Sequence, residues 1–267
     1  MSDQPCSCSG EGPKVGEYFA TVAEEWDELR AGYFDETVRE AAIARAGLSP
    51  DMVVADVGTG TGFMALGLAP LVRRVYAIDT SAEMLKVLER KLQERGITNV
   101  ELCQADGLAL PLDDASVDAV FANMYLHHIP EPPLAIAEMV RVLASARSGD
   151  KRSRGSQLEL AVSQSKRGRL SGLEPNTNYN GWAASACDLK PGGRLVLTDA
   201  DEHHHEWMRE EMADVWLGFD RGQIQRWFEE AGLLDVQVDC TGSDCCAESA
   251  EGEEAAVSIF VATGVKP

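Results

Sequence analysis

The feature that most constrains this 267-residue chain is a glycine-rich turn that directly follows a short apolar run. Residues 52–57 are mostly apolar and end in Asp56-Val57, and the chain continues as Gly58-Thr59-Gly60-Thr61-Gly62. Glycines at alternate positions let the backbone turn tightly and approach a ligand where a side chain would collide with it. A buried strand followed by such a turn and a helix is typical of nucleotide-binding α/β sheets.

The spacing of these glycines differs from the G-x-G-x-x-G of dinucleotide-binding folds, because no third glycine follows at that interval. Asp79 ends the second predicted strand, where a carboxylate can accept hydrogen bonds from both ribose hydroxyls. Asp106 follows the third predicted strand and can reach an adenine amino group. The carboxyl ends of adjacent parallel strands meet at one edge of a sheet, so these groups form one predicted nucleotide site.

Hydrophobic periodicity predicts strands that alternate with helices along the chain. The predicted strands are 52–57, 75–78, 100–104, 117–123, 194–199, 234–240 and 257–263. Helical spacing is expected in two N-terminal helices (15–30 and 35–46) and again at 62–71, 133–143 and 220–231. Thr80 and Glu83 have the spacing of a capping box for a further helix that runs to Arg95 and stops at Gly96. This alternation predicts a mainly parallel, doubly wound α/β sheet of the Rossmann-like kind.

Taken together, these motifs resemble the class I S-adenosylmethionine-dependent methyltransferases, in the branch that contains arsenite and ubiquinone/menaquinone-biosynthesis methyltransferases. The resemblance rests on the stretches at 53–62, 77–79, 104–112, 118–123 and 189–195. It implies a seven-stranded sheet whose last strand is antiparallel, with S-adenosylmethionine as cofactor. It also implies the cofactor contacts Asp56, Gly58, Gly60, Asp79, Met84, Asp106, Gly107 and Asn123.

Two segments depart from this pattern. Residues 1–14 are expected to be a flexible tail, and residues 15–267 a single methyltransferase domain. Residues 144–189 carry seven basic and four acidic residues and few large apolar ones. A loop of this length is uncommon inside a compact domain, so we interpret it as a disordered basic insertion. A docking arm and a segment retained by an incorrect gene model are the alternatives.

Composition limits the partners of the chain. A net charge of −20 opposes binding to phosphate backbones, so we expect no nucleic-acid substrate. The sequence contains no apolar run long enough for a membrane span and no export signal, so a cytoplasmic location is expected. The odd number of cysteines, seven, favours free thiols or soft-metal ligands over a disulfide framework. No pattern specifies an oligomeric state.

The acceptor-facing residues are expected in the loops that follow strands four, five and six. His127 and His128 follow the fourth strand, and we predict that one of them acts as a base or acceptor contact. Cys240, Cys245 and Cys246 follow the sixth strand and could bind a thiophilic ion. Incidental or redox-active thiols are the alternative.

The sequence is compatible with three functions. The first is methyl transfer to a small-molecule or metalloid acceptor, with thiol-bound arsenite as the specific candidate. The second is carbon or oxygen methylation of a quinone-like or other small metabolite, with His127 or His128 as base. The third is a cofactor-binding thiol sensor without transferase activity.

Overall fold

The computed structural model describes residues 15–146 and 192–267, which form seven strands and eight α-helices. The predicted tail and residues 147–189 of the predicted insertion lie outside the described residues. The strands are β1 (Val53–Val57), β2 (Arg74–Asp79), β3 (Val100–Gln104), β4 (Ala119–Asn123), β5 (Arg194–Ala200), β6 (Leu234–Glu248) and β7 (Glu254–Val265). The helices are α1 (Val15–Val22), α2 (Trp26–Tyr33), α3 (Glu36–Ala46), α4 (Phe63–Leu68), α5 (Ala82–Arg95), α6 (Pro132–Val142), α7 (Trp207–Glu211) and α8 (Arg221–Glu230).

The strands form one sheet in the order β3-β2-β1-β4-β5-β7-β6. Neighbouring strands from β3 to β5 are parallel, whereas β7 is antiparallel to both β5 and β6. This confirms the predicted fold class and the antiparallel last strand. Because β1, β2 and β4 run in the same direction, the residues that follow them meet at one edge of the sheet.

Both faces of the central strands β1, β4 and β5 are buried, which explains why these strands are mostly apolar, whereas the edge strand β6 is largely exposed. Successive side chains of a strand point to opposite faces. Thus Val120 and Ala122 pack with α6 and α8, whereas Phe121 between them packs with α3, α4 and α5. Leu195 and Val196 of β5 divide between the two layers in the same way.

The N-terminal segment differs from the prediction, because three helices are present where two were expected. The first predicted helix, 15–30, breaks after α1, and the Glu25 amide donates to the Val22 carbonyl in the resulting turn. The break lets Phe19 and Trp26 pack edge to face at 5.3 Å beside Met84 of α5. Tertiary packing therefore interrupts a segment whose apolar spacing is helical throughout.

The prediction that residues 241–246 form a loop after strand six is wrong. β6 continues to Glu248 and pairs with β7 as far as Glu254. The register shifts between Cys240 and Asp244, where Gly242 adopts a left-handed conformation with φ of 86°. A bulge of this kind bends a strand without ending it, so the alternation of exposed and buried residues extends through the cysteines.

The described residues on either side of 147–191 lie together at the edge of the sheet opposite to the glycine turn. The Gly193 amide donates to the Ala144 carbonyl at 2.7 Å, and the Ala144 amide donates to the Val117 carbonyl at 2.8 Å. Arg194 then begins β5 beside Ala119 of β4. Within the described ranges, no helix is both long and apolar enough to cross a membrane.

Deleting residues 147–189, which joins Ala146 to Lys190, should leave the fold and the cofactor site intact. The hydrogen-bonded ends already face each other, so the urea midpoint should be unchanged and the cofactor affinity should stay within about twofold. Urea unfolding and isothermal titration with S-adenosylmethionine measure the two quantities. The matched control deletes residues 144–193, removes the Ala144–Gly193 hydrogen bond and should unfold at lower urea. Loss of cofactor binding in a folded 147–189 deletion would contradict this prediction.

Candidate active site

The glycine turn connects β1 to α4 and is held against the end of β2. The amides of Gly58 and Thr59 both donate to the Ile78 carbonyl oxygen, at 2.9 and 3.0 Å. Gly58, Gly60 and Gly62 all have positive φ values, a conformation that other residues adopt only with strain. Glycine is therefore required at each of these positions for the backbone to turn at the carboxyl ends of the strands.

Asp56 lies beneath this turn. Its carboxylate accepts a hydrogen bond from the Thr59 hydroxyl at 2.6 Å, and the residue is only 1% exposed. Burial raises the pKa of Asp56 to about 7. The structure thus places Asp56 as a support for the turn, and it is not among the residues that line the cleft above.

Asp79 joins the glycine turn to the start of α5. One carboxylate oxygen accepts from the Gly60 amide at 2.8 Å and the other from the Ser81 amide at 2.9 Å. Burial raises the pKa of this carboxyl. The cap of α5 is Ser81, whose hydroxyl accepts from the Met84 amide, so the predicted capping box starting at Thr80 is wrong. The carboxylate of Asp79 instead orders the residues that precede the helix.

A cleft opens above the glycine turn, and we call it the main cleft. It contains all of the predicted cofactor contacts except Asp56. These residues are Gly58, Gly60, Asp79, Met84, Asp106, Gly107 and Asn123. Asn123 is held in place because its side-chain oxygen accepts a hydrogen bond from the Thr198 hydroxyl at 2.7 Å.

The side chain of Tyr125 crosses the floor of the main cleft, and its role was not predicted from the sequence. Its ring contacts the positions where Gly58 and Gly107 would carry a β-carbon, so a side chain fits at neither place. Burial, followed by the nearby carboxylates of Asp106 and Asp79, raises the pKa of the Tyr125 phenol. The preceding Met124 has a φ of 47°, a strained conformation of the kind that occurs at functional sites.

Helices α1 and α2 cover the other side of the main cleft. Phe19, Trp26 and Arg30 line it from above. The Thr61 hydroxyl donates to the Asp27 carboxylate at 2.6 Å, and Lys91 of α5 forms an ion pair with Asp27. Asp27 therefore links α2 directly to the glycine turn. Helices α1 and α2 partly shield the cleft from water.

A buried carboxylate at the end of β5 fixes the turn after β4 that contains His127 and His128, which we call the histidine turn. Asp199 is fully buried and accepts hydrogen bonds from the Leu126 amide at 2.9 Å and from His127 Nδ1 at 2.7 Å. Burial opposes the charged form of His127, but Asp199 and then Asp214 outweigh it and raise its pKa to about 9. His127 therefore carries a positive charge at neutral pH.

His128 lies beside His127 and has the opposite character. Burial lowers the pKa of His128 well below its usual value, and the charge of His127 lowers it further. Its Nδ1 lies 3.2 Å from the Ala213 carbonyl oxygen, an acceptor, so Nδ1 carries the proton and Nε2 is free to accept one. The ring packs edge to face against Phe19 at 4.9 Å and lines the main cleft.

Residues 213–216 pack against the histidine turn and bring in a carboxylate that no sequence motif indicated. The amides of Val215 and Trp216 both donate to the His127 carbonyl oxygen at 2.9 Å. Ala213 has a φ of 59°, and Asp214 follows it with a buried side chain. Burial raises the pKa of Asp214 to about 6.

A second cavity, which we call the aromatic pocket, opens on the main cleft. Its lining is mostly aromatic, and half of its residues also line the main cleft. The residues that line the aromatic pocket are Tyr18, Phe19, Trp26, Tyr33, Phe34, Met124, His127, His128, Met212 and Cys245. The two cavities share Phe19, Trp26, Phe34, Met124 and His128. A flat ring bound here would lie next to a ligand in the main cleft.

The structure does not bring the three predicted soft-metal ligands together. Cys245 is buried against Phe34 and Ile259, whereas Cys240 and Cys246 are exposed. Adjacent strand residues point to opposite faces, so Cys245 and Cys246 diverge. Burial raises the pKa of Cys245 to about 12, which disfavours the thiolate.

The comparisons with known proteins agree with this geometry. A family model described as a methyltransferase domain matches residues 55–146. A demethylmenaquinone methyltransferase from Geobacillus kaustophilus is 36% identical over 203 residues, which cover 75% of this chain and 78% of that protein. A ubiquinone/menaquinone biosynthesis C-methyltransferase from Cellvibrio japonicus is 28% identical over 84% of this chain and 85% of its own length. Two other curated methyltransferases match over only 36% and 38% of their lengths.

The fold is shared with solved methyltransferases. The chain matches a SAM-dependent methyltransferase from Aquifex aeolicus with a TM-score of 0.55 and 20% identity, covering 93% of this chain and 98% of that one. The sheet and cleft thus define an S-adenosylmethionine-dependent transferase site. The chain belongs to the class I S-adenosylmethionine-dependent methyltransferases.

The residues of the main cleft fit this cofactor. Each carboxylate oxygen of Asp79 accepts one backbone amide, which leaves lone pairs for the two ribose hydroxyls. Gly58 and Gly107 also line the cleft, and the absence of a β-carbon there leaves room for the Tyr125 ring. Asp106 lies at the far end of the same cleft, where an adenine amino group can donate to it.

Substituting Asp79→Asn should lower the affinity for S-adenosylmethionine by about 10- to 100-fold. Hydrogen bonds to a charged acceptor contribute about 1.5–3 kcal/mol, and the amide loses the charge and half of the acceptor capacity. Isothermal titration measures the dissociation constant. Asp113→Asn, the same change at an exposed carboxylate outside the main cleft, is the control and should bind as the wild type does. Unchanged affinity in Asp79→Asn would refute the assignment.

The stability of the protein should fall as the pH rises from 6 to 9, and His127 should cause part of this fall. Its folded pKa of about 9 exceeds the usual 6.5, so its contribution is complete below 6.5 and lost as the pH rises through 9. The comparison is urea unfolding of wild type and His127→Gln at both pH values. His204→Gln, at an exposed histidine, serves as control and should keep the wild-type dependence. Equal pH dependence in wild type and His127→Gln would show that the charged pair is absent.

Proposed function

We propose that this methyltransferase transfers the methyl group to a ring carbon of a hydroxylated aromatic acceptor, of the class that a demethylated quinol represents. The observation that carries the proposal is the aromatic pocket, which opens on the main cleft through five shared residues. Aromatic rings pack well against flat acceptors in offset or edge-to-face contacts. A ring in this pocket would present its edge toward the cofactor.

The relatives support the same acceptor class. The Geobacillus kaustophilus relative is named a demethylmenaquinone methyltransferase, and the Cellvibrio japonicus relative is named a C-methyltransferase. Both matches extend over three quarters or more of this chain. Family membership alone does not define an acceptor, and the proposal therefore depends on the pocket.

The chemistry needs proximity and one base. Bound S-adenosylmethionine supplies an electrophilic methyl group on a sulfonium. Carbon methylation replaces one ring hydrogen: the ring carbon would gain the methyl group as the sulfur–methyl bond breaks and the thioether leaves, and it would then lose one proton. The neutral His128, with Nε2 free, lies at the junction of the two cavities and accepts this proton.

His127 contributes charge rather than proton transfer. Its side chain lines the aromatic pocket and carries a positive charge, since its pKa is raised to about 9 by Asp199 and Asp214 against the effect of burial. A fixed positive charge beside a ring hydroxyl stabilises its phenolate form, whose ring carbon is a stronger nucleophile than that of the neutral phenol. The two adjacent histidines thus divide the tasks of base and electrostatic stabiliser.

The arsenite alternative has less support. A trivalent arsenic needs several thiolates at one place, whereas Cys245 is buried on one face of β6 and Cys246 is exposed on the other. The lining of the aromatic pocket contributes one thiol, Cys245, which cannot supply several thiolates. The hydroxylated aromatic acceptor is therefore the proposal that the described residues favour.

The test is a methyl-transfer assay with labelled S-adenosylmethionine and three acceptors, namely 1,4-naphthalenediol kept reduced, arsenite with glutathione, and glutathione alone. We expect label on a ring carbon of the diol, identified by mass spectrometry of the product. Transfer to arsenic or sulfur but not to the diol would refute the proposal, and so would a product labelled only on oxygen.

His128→Asn should lower kcat for the diol by about 10²- to 10⁴-fold, the usual contribution of a general base. The asparagine amide can still donate to the Ala213 carbonyl, but it lacks the proton acceptor at Nε2. Affinity for S-adenosylmethionine should stay within about twofold, because His128 touches only the edge of that site. His204→Asn is the matched control and should keep full activity. A fully active His128→Asn variant would remove the base from the mechanism.

A further inference from the structure

A small cavity lies behind the aromatic pocket, and we call it the inner pocket. Its lining is apolar apart from two histidines, one carboxylate and one thiol. The residues are Met124, His127, Ala200, His203, Met208, Met212, Asp214, Gly218, Cys245 and Val257. The inner pocket shares Met124, His127, Met212 and Cys245 with the aromatic pocket, so the two are separated only by these side chains.

One atom in the inner pocket lacks a partner. The Asp214 side chain is only 7% exposed, and its Oδ1 oxygen has no hydrogen bond. Buried polar atoms almost always have a partner, because an unpaired one costs about 1–3 kcal/mol. The backbone on both sides of Asp214 is held in place, since Ala213 adopts a strained left-handed conformation and the Val215 amide donates to the His127 carbonyl.

His127 faces the same space. Its Nε2 lies 3.7 Å from Asp214 Oδ1, too far for a direct hydrogen bond. An oxygen atom about 2 Å to the side of the line between them lies at about 2.8 Å from both, which is hydrogen-bond distance. Nδ1 of His127 is engaged by Asp199, which fixes the ring and aims Nε2 at this space.

We propose that Asp214 and His127 together bind a ring hydroxyl of the aromatic acceptor. A hydroxyl can donate to Asp214 Oδ1 and accept from His127 Nε2 at the same time, whereas an ether or a carbonyl can only accept. This inference rests on the proposed function and names the group that the enzyme recognises. Asp214 is then the residue that selects hydroxylated rings over their O-methylated or unsubstituted counterparts.

The same atoms allow a competing interpretation. His127, His128 and Asp214 each offer one ligand atom, and these atoms lie within 4.8 Å of one another, a spacing compatible with a divalent cation. Nδ1 of His127 is bonded to Asp199 and the ring carries a positive charge, however, so its Nε2 carries a proton and has no lone pair for a metal. The hydroxyl is therefore favoured, and a bound cation is one outcome of the test.

The test compares binding of 1-naphthol and 1-methoxynaphthalene to the full-length protein by isothermal titration. Wild type should bind 1-naphthol about 10-fold or more tightly than the ether. Asp214→Ala should lose about 10- to 100-fold in affinity for 1-naphthol, and Asp214→Asn, which keeps the shape and a neutral acceptor, should lose less. Affinity for 1-methoxynaphthalene should change little in either variant. Asp244→Ala, at an exposed carboxylate on β6, is the control.

The outcomes separate the two proposals. If wild type binds both naphthalenes equally and Asp214→Ala changes neither, the hydroxyl site is wrong while the aromatic pocket stands. If neither compound binds, the aromatic acceptor is wrong and the hydroxyl site falls with it. If metal-free wild type binds one equivalent of Zn²⁺ that Asp214→Ala and Asp214→Asn do not bind, the site is a cation site and the hydroxyl proposal is overturned.

Discussion

The arrangement of the site depends on one buried carboxylate, Asp199, at the carboxyl end of β5. It accepts the Leu126 amide and His127 Nδ1, and so ties the turn after β4 to the neighbouring strand. The main cleft lies on one side of that turn, and the aromatic and inner pockets lie on the other. Removing the partners of a fully buried carboxylate destabilises the fold, so the connection between this turn and β5 is rigid. The relative position of cofactor and acceptor follows from it.

The parallel topology explains why the site can be assembled from distant parts of the sequence. The glycine turn, Asp79 and Asn123 follow three adjacent strands that run in the same direction. The cover formed by α1 and α2 is then fastened to the turn through Asp27. The described residues that flank 147–191, Ala144 and Gly193, are hydrogen-bonded to each other at the opposite edge of the sheet.

Much of the cofactor site could be predicted from the sequence, because its signals are local. A glycine that needs positive φ, or an aspartate at the end of a buried strand, can be recognised from its neighbours. The roles of Tyr125 and Asp214 could not be recognised in this way, since they arise from contacts with Gly107 and His127 in other elements. The break between α1 and α2 and the extension of β6 have the same origin, because tertiary packing and strand pairing override local patterns.

The central claim is that an aromatic acceptor binds between the N-terminal helices and the histidine turn, next to the cofactor. A crystal structure of the protein with S-adenosylhomocysteine and 1-naphthol tests it most directly. The account predicts the adenosyl group at Asp79 and the naphthalene ring in the aromatic pocket beside His128, with its hydroxyl beside Asp214. A naphthalene ring bound outside the aromatic pocket, with the cofactor product in the main cleft, would contradict the account.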